Sequence, residues 1–481
     1  MQPGDEIREA CGVFGIWTPS LSAQPVSHMT YLGLFALQHR GQESAGIAVS
    51  DGAKIWVYRG MGLVSSIFDD HSLAALQGHI AVGHTRYSTT GSSTWANAQP
   101  VYRDTESYQF VLAHNGNLVN TDELAASEDL DLGDVDSDSD VVAGLLANEL
   151  LRQLPAEDEA GRFEAALARI LPRLSGAYSF VLMTETSLIG IRDPNGFRPL
   201  FLGRLADGWV LASETPALDV IGAEPVREVE PGEMVVITAD GVHSIRPFAV
   251  EEINPTLCAF EYVYFARPDG DLRGVNVHGA RQRMGESLAR QAPVDADLVI
   301  PVPESGIPGA QGFARQSGIP YADGFIKNRY IGRSFIAPTQ ELRQNAVRIK
   351  LNPIRANVEG KRLIVVEDSI VRATTLRETM RMLRKVGALE IHLRVLSPPY
   401  RWPCYFGMNT TDRSQLIAAN MEVDEIREYL GADSLAYLDL HAMLTAITPR
   451  PAGFCTACLT GEYPLPVPIQ LSTLVGAAPV G

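Results

Sequence analysis

LIVVEDSIVRATT, residues 363–375, opens with a run of apolar residues, ends that run on two adjacent carboxylates, Glu367 and Asp368, and continues into a hydroxyl-bearing stretch. An apolar run without alternation is expected of a strand buried on both faces, as in a parallel sheet covered by helices. The residues that follow, TLRETMRMLRKVG, carry a helical pattern that stops at Gly387, and Ile391, Leu393 and Val395 then alternate as a second strand. Strand, loop, helix and strand in this order predict one unit of a parallel sheet. A second unbroken run at 298–302, also followed by a polar loop and a helical pattern, extends this α/β reading back to about Pro255. The loop itself suits an anion. Main-chain N–H groups at a helix start can cradle a phosphate, and an acid pair can meet a ribose diol or a metal ion, with surface capping as the alternative.

The rhythm upstream is different. Between Cys11 and about Ile245 come CGVFGIW, GIAVSD, KIWVYRG, GHIAVGHTRYS, YQFVLAHNGNL, AYSFVLMTE, SLIGIRD, GWVLASE and GEMVVITADG. These short segments, rich in Val, Ile, Phe and Tyr and bounded by Gly, Asp, Asn or Pro, predict an antiparallel sheet system. Two helical patterns interrupt them, at 29–40 and at 141–154, the second with Val142, Leu145, Leu146, Leu150 and Leu151 on one stripe. This half therefore reads as α+β, and 481 residues make two domains the natural expectation. Three prolines between 464 and 468 predict an extended carboxy-terminal stretch.

Forty basic residues against 57 acidic ones leave a formal charge of -17, which opposes attraction to nucleic acid or to an anionic membrane. The first ten residues, MQPGDEIREA, lack an apolar signal core, and no run is long enough to span a bilayer, so a soluble cytoplasmic protein is expected. One segment departs from the acidic balance. Residues 327–362 hold nine basic residues, among them Lys327, Arg329, Arg355, Lys361 and Arg362, against Glu341 and Glu359. A small polyanionic ligand is one reading and a solvated basic face the other.

The five cysteines, at 11, 258, 404, 455 and 458, are too few and scattered for a disulfide scaffold. Thiol chemistry needs a thiolate and a base, and if Cys11 were the first residue its own α-amino group would supply the base. Cys11-Gly12 alone is a weak signal, and an ordinary buried cysteine would be the better reading of it. Cys455 and Cys458 form a C-x2-C pair; with Cys258 and Cys404 they could hold zinc or a cluster, or be plain buried thiols.

Four further motifs change the weighting. CGVFGI from Cys11, QHRGQESAGI at 38–47, GHTRYST from Gly83 and HNGNL at 114–118 resemble, in this order, the glutaminase half of amidotransferases that use an amino-terminal nucleophile. The resemblance implies a four-layer α/β/β/α fold, removal of residues 1–10, and attack by Cys11 on the side-chain amide of glutamine. It implies oxyanion donors from Asn115 and the N–H of Gly116, Arg86 on the substrate's α-carboxylate, and Asp138 on its α-ammonium. Read alone, Asn115-Gly116 signals a hairpin turn, Arg86 a surface pair and Asp138 a capping carboxylate. His39, His84 and His114 are read as structural.

In the second half, EDSIVRATT resembles the phosphoribosylpyrophosphate loop of type I phosphoribosyltransferases. CAFEYVYFARPD at 258–269, PVPES at 301–305 and FIKNRYIGRSF at 325–335 resemble the glutamine phosphoribosylpyrophosphate amidotransferase family, and the likeness runs from Cys11 to about Cys458. It implies domains at 11–250 and 251–461 after the leader, with a tail at 462–481. It implies magnesium and diphosphate at Ser305, Glu367 and Asp368, and the 5-phosphate on Ser369, Ile370, Val371, Arg372, Ala373, Thr374 and Thr375. The basic segment from Lys327 and Arg329 would close over diphosphate. The implied reaction joins ammonia from glutamine to phosphoribosylpyrophosphate, the entry to purine synthesis, in a homotetramer inhibited by AMP and GMP. Family members with a leader typically carry a 4Fe-4S cluster, here on Cys258, Cys404, Cys455 and Cys458. Two residues depart from the family pattern: Glu367 replaces Asp, and Ala373 replaces Gly, which costs about 1 kcal/mol if φ is positive there. Two rivals are another glutamine amidotransferase, which would not need EDSIVRATT, and a non-catalytic binder of phosphoribosylpyrophosphate or nucleotide.

Overall fold

The structure, a computed structural model, describes residues 11–19, 25–87, 93–105, 107–130, 137–152, 159–328 and 351–468. The first ten residues, Arg329 and most of the basic segment therefore lie outside the described residues.

Two antiparallel sheets form the amino-terminal half. The first has seven strands, with Gly12–Trp17 paired on one side to Gly208–Ala212 and on the other to Ile80–Arg86, which in turn pairs with Ser44–Ser50. The second has six, with Gln109–Leu118 beside Gly176–Met183. Val13, Ala48, Val82 and Leu211 of one sheet meet Val111, Ala113, Val181 and Val235 of the other in a dry layer between them. Helix Val26–Ala36 covers the outer face of the first sheet, and helices Asp138–Arg152 and Glu159–Ile170 cover that of the second. This is the expected four-layer order. Asn115-Gly116 is not a turn, however: both residues lie inside the ten-residue strand Gln109–Leu118, opposite Ser179 and Tyr178.

The carboxy-terminal half contains a four-stranded sheet in the order Leu298–Pro301, Arg362–Glu367, Glu390–Val395 and Ser434–Tyr437, every pair parallel. Helices Val277–Gln291 and Ile307–Ser317 cover one face, and Thr374–Val386 and Val423–Leu430 cover the other. Arg362 stands at the start of its strand and Glu367 at its end, about 16 Å away at strand rise. Arg362 pairs with Asp295 and Asp297, and Arg355 with Glu359. These two members of the basic segment thus serve surface ion pairs away from the acid pair.

The halves are not joined by a loose linker. A single apolar cluster runs from Phe14 and Leu34 through Phe197, Phe260 and Tyr262 to Val366 and Leu396. Leu257–Cys258 pairs in parallel with Phe454–Cys455, and Phe197 stacks on Phe406 with ring centroids 4.4 Å apart.

Candidate functional site

Cys11 precedes the central strand of the first sheet, so its position is fixed by pairing on both sides of Gly12–Trp17. Its thiol is buried and its hydrogen-bond partners are main-chain atoms of Tyr87, the O at 3.4 Å and the N at 3.5 Å. Burial raises the thiol pKa, while the Tyr87 contact and the charge of Arg86 work to lower it. Arg86 ends the neighbouring strand and is itself buried.

Asp138 is the first residue of helix Asp138–Arg152 and lies within the electrostatic reach of Cys11. One of its oxygens accepts from Leu118 N at 3.1 Å, and the other faces His114 Nδ1 at 3.4 Å. Burial works to raise its pKa, but His114 and the Leu118 N–H outweigh it, so the carboxylate is held below its ordinary range. His84 links the two sheets through its Nε2 to His114 O at 2.9 Å, and burial depresses its pKa to about 3. The ring is thereby neutral and only weakly basic.

Asn115 is fully buried, yet among the described residues neither atom of its side-chain amide has a hydrogen-bond partner. Such an amide costs stability unless a ligand completes it. Gly116 beside it has φ +149, and a Cβ there would fall 2.0 Å from Ala177 O, so no other residue fits. The strand thus presents an unused amide and a side-chain-free N–H together, which is what a developing oxyanion requires.

The second constellation lies at the carboxyl end of the parallel sheet, where open α/β folds bind ligands. Glu367 and Asp368 are both buried, and burial together with their mutual repulsion pushes Glu367 well above the carboxylate range. Asp368 is raised by burial and partly relieved by the hydroxyls of Ser305 and Ser369, which both donate to it. Two buried acids flanked by a hydroxyl make an all-oxygen donor set, fitting a hard cation such as magnesium. Ser369, Ile370, Val371 and Arg372 form the loop to helix Thr374–Val386, whose first turn contains Thr374 and Thr375. Ala373 caps that helix in the left-handed region, φ 66, ψ -5. Lys327 lies 3.3 Å from Glu304, the neighbour of Ser305.

All four remaining cysteines are buried and free. Cys258 and Cys455 are register partners, and Cys458 lies in the electrostatic field of Cys404, Cys258 and Cys455. Burial raises Cys258 to about 11. Among the described residues no three such side chains close to the spacing of a single ion's shell. Four buried thiols in one another's electrostatic field are a soft donor set of the kind that suits a zinc ion or an iron-sulfur cluster alike.

Sequence reasoning missed Arg40, Arg198, Glu214, Glu261 and Arg281, all buried. Arg40 and Glu261 lie in the quoted motifs QHRGQESAGI and CAFEYVYFARPD, but nothing in sequence indicated that they pair. Arg281 donates to the main-chain O of Tyr262 and Ala266 at 2.7 and 2.9 Å and faces the charge of Asp368.

Fold and sites together define a two-domain enzyme, an amidotransferase with an amino-terminal-type nucleophile strand joined to a phosphoribosyltransferase. The model of the family described as Glutamine amidotransferase domain matches residues 84–220, and that described as Phosphoribosyl transferase domain matches residues 280–400. The amidophosphoribosyltransferase of Mycobacterium tuberculosis is 50% identical over 96% of this chain and 87% of its own; that of Synechococcus elongatus is 48% identical over 97% and 94%. The solved glutamine phosphoribosylpyrophosphate amidotransferase of Bacillus subtilis, complexed with ADP and GMP, superposes with a TM-score of 0.87 at 43% identity, covering 96% of this chain and all of its own. The chain belongs to the amidophosphoribosyltransferase family. It is a glycosyltransferase forming 5-phosphoribosylamine, glutamate and diphosphate from phosphoribosylpyrophosphate, glutamine and water, the first step of purine biosynthesis. Among the described residues no helix is long and apolar enough to cross a membrane.

Proposed function

We propose that the reaction is divided between the two constellations, with Cys11 and its neighbours releasing ammonia and the acid-pair loop receiving it. The observation that carries this reading is the buried Asn115 amide, without a partner among the described residues, on the sheet packed against that of Cys11. Cys11 Sγ attacks the glutamine side-chain amide, and Asn115 and the Gly116 N–H hold the oxyanion. Arg86 and Asp138 take the α-carboxylate and α-ammonium, a division suited to their opposite charges. Because the thiol's hydrogen-bond partners among the described residues are main-chain atoms of Tyr87 and burial leaves His84 only weakly basic, the base is assigned to the α-amino group of Cys11 after autocatalytic removal of residues 1–10.

At the second constellation Ser305, Glu367 and Asp368 would hold magnesium, whose charge would offset that of diphosphate. The main chain from Ser369 to Thr375 takes the 5-phosphate, and Lys327 with Arg329 meets diphosphate. Cys258, Cys404, Cys455 and Cys458 would carry a 4Fe-4S cluster of structural role; their burial within one another's electrostatic field supports a shared ligand set. The domains run from 11 to 250 and from 251 to 461, with a tail at 462–481, in a cytoplasmic homotetramer regulated by purine nucleotides. The solved relative's ADP and GMP support that last assignment.

Selective substitution separates the sites. Cys11→Ala is expected to abolish glutamine-dependent synthesis and keep ammonium-dependent synthesis, whereas Asp368→Ala removes both. The intact mass of active protein is expected to lack MQPGDEIREA. Loss of both activities in folded Cys11→Ala, or activity with the leader retained, would refute the division or the base respectively.

A further inference from the structure

Four buried charges lie between the glutaminase site and the four thiols and belong to neither. Arg40, Arg198, Glu214 and Glu261 are each at most 1% exposed. Glu261 divides its carboxylate between two guanidiniums. Arg40 donates to it through Nη2 at 2.8 Å and Nη1 at 3.0 Å, and Arg198 through Nη1 at 3.1 Å. Arg40 turns its Nε to the main-chain O of Cys11 at 3.2 Å. Arg198 spends its other nitrogens on Phe406 O, at 2.9 and 3.2 Å, and the Phe406 N–H is directed at Cys404 Sγ, 3.4 Å away. The Arg198 guanidinium also lies in the field of Cys258 and Cys404. Gly407 leaves room for it, since a Cβ there would fall 2.7 Å from its Nη2, and its Cζ lies 5.1 Å from the centre of the Phe265 ring.

One carboxylate therefore holds, through two arginines, the main chain of the nucleophile and the loop that carries a thiol. Buried charges of this kind depend on one another, because each was desolvated on the condition that its partners stay in place. A group bound at Cys404 would fix the loop whose Phe406 O holds Arg198; its loss would free that loop and with it Arg198, Glu261, Arg40 and the anchor on Cys11 O.

We propose that Glu261 and Arg198 are positioning residues through which occupancy of the four-thiol site sets the reactivity of Cys11. The proposal rests on the reading of Cys258, Cys404, Cys455 and Cys458 as a ligand set. Neither positioning residue touches a reacting atom.

The test is a coupling cycle on the full-length enzyme. The rate of Cys11 alkylation by iodoacetamide is followed by peptide mass, in anaerobically purified protein and after iron is stripped with ferricyanide and a chelator. Wild type, Glu261→Gln and Arg198→Lys are compared. Stripping is expected to slow wild-type alkylation by about fivefold or more, the lower end of ordinary allosteric coupling. Glu261→Gln is expected to be slow while still loaded with iron, and stripping is expected to change it by less than about twofold. Arg198→Lys, which keeps the charge and loses the fork, should fall between them, and it serves if the glutamine variant fails to fold. An equal stripping factor in wild type and in the variants overturns the relay, as does a wild-type rate indifferent to stripping; in both cases the cluster reading survives. Protein purified without iron or acid-labile sulfide overturns the ligand-set reading and the relay with it, an outcome that metal analysis alone identifies.

Discussion

Ala373 is where a single methyl group matters most. Its φ of 66 is in the left-handed region, where a Cβ costs about 1 kcal/mol or more that glycine would not pay. The residue is buried at the start of the helix whose N–H groups face the proposed 5-phosphate, so the strain falls where the ligand binds. Ala373→Gly is expected to lower the KM for phosphoribosylpyrophosphate by about fivefold, the equivalent of 1 kcal/mol, with no loss of melting temperature. A higher KM would mean that the strain is not relieved in the bound state. Asn115 makes the opposite bargain, since its amide is desolvated and left without a partner until substrate arrives. Asn115→Ala is expected to reduce glutamine-dependent kcat by roughly 10²–10³ while ammonium-dependent synthesis continues. Its melting temperature should not fall, because the variant removes an unsatisfied buried group.

At the level of elements, Glu214 joins three pieces of chain. It accepts from Arg40 Nη1 at 2.5 Å, His39 Nε2 at 2.7 Å and the main-chain N of Arg267 at 2.9 Å. Burial would raise its pKa, but His39 and Arg40 overcome this and hold the carboxyl well below the usual range. A depressed folded pKa stabilises above the unfolded value, about 4.3, and this stabilisation is lost as pH falls through the folded pKa. Glu214→Gln is therefore expected to destabilise by about 3–5 kcal/mol at neutral pH, with the gap to wild type closing below about pH 4. Denaturant melts at pH 7 and pH 3 check it; an equal gap at both would assign the loss to shape. None of this network was legible in sequence, because its members are 174 and 221 positions apart from Arg40. The strand at 363–367 and its acid pair were legible, since an unbroken apolar run has few alternatives. Asn115-Gly116 misleads as a hairpin because the glycine answers a close approach by Ala177 O inside a strand, not a turn. Counting charges from 327 to 362 merged Lys327 with Arg362, although strand polarity carries the latter to the opposite end of the sheet. The short edge strands Glu224–Glu228 and Gly241–Ile245 went unread because they are largely exposed and have no buried face to impose alternation.

The whole molecule depends on how its carboxy-terminal segment is tied down. Cys258 lies between the halves, Cys404 in the connection between the last two strands of the parallel sheet, and Cys455 and Cys458 near the end of the described chain, so one group bound to all four would close loops of up to 200 residues (458 minus 258). The segment's polar ties include the two-residue pairing of Phe454–Cys455, Arg273 Nη1 donating to Gly453 O at 2.8 Å, Cys458 O accepting from Arg401 and Trp402, and Tyr463 Oη donating to Pro403 O at 2.7 Å, while Ala457 and Leu459 pack into the apolar cluster. Such short pairings are marginal by themselves. A bound group contributes its binding free energy to folding, and removing it leaves four buried thiols with fewer contacts between segments. Anaerobic protein is expected to be brown and to contain iron and acid-labile sulfide in equal amounts. Exposure to oxygen is expected to bleach it, lower its melting temperature and open the bond between Arg401 and Trp402, whose N–H groups are held by Cys458 O, to trypsin before any site in the antiparallel sheets. Bleached protein with an unchanged melting temperature and tryptic pattern would deny the group a structural role. Colourless active protein with one zinc per chain would assign the four sulfurs to zinc, and the tie would then be expected to survive oxygen and fail with a zinc chelator.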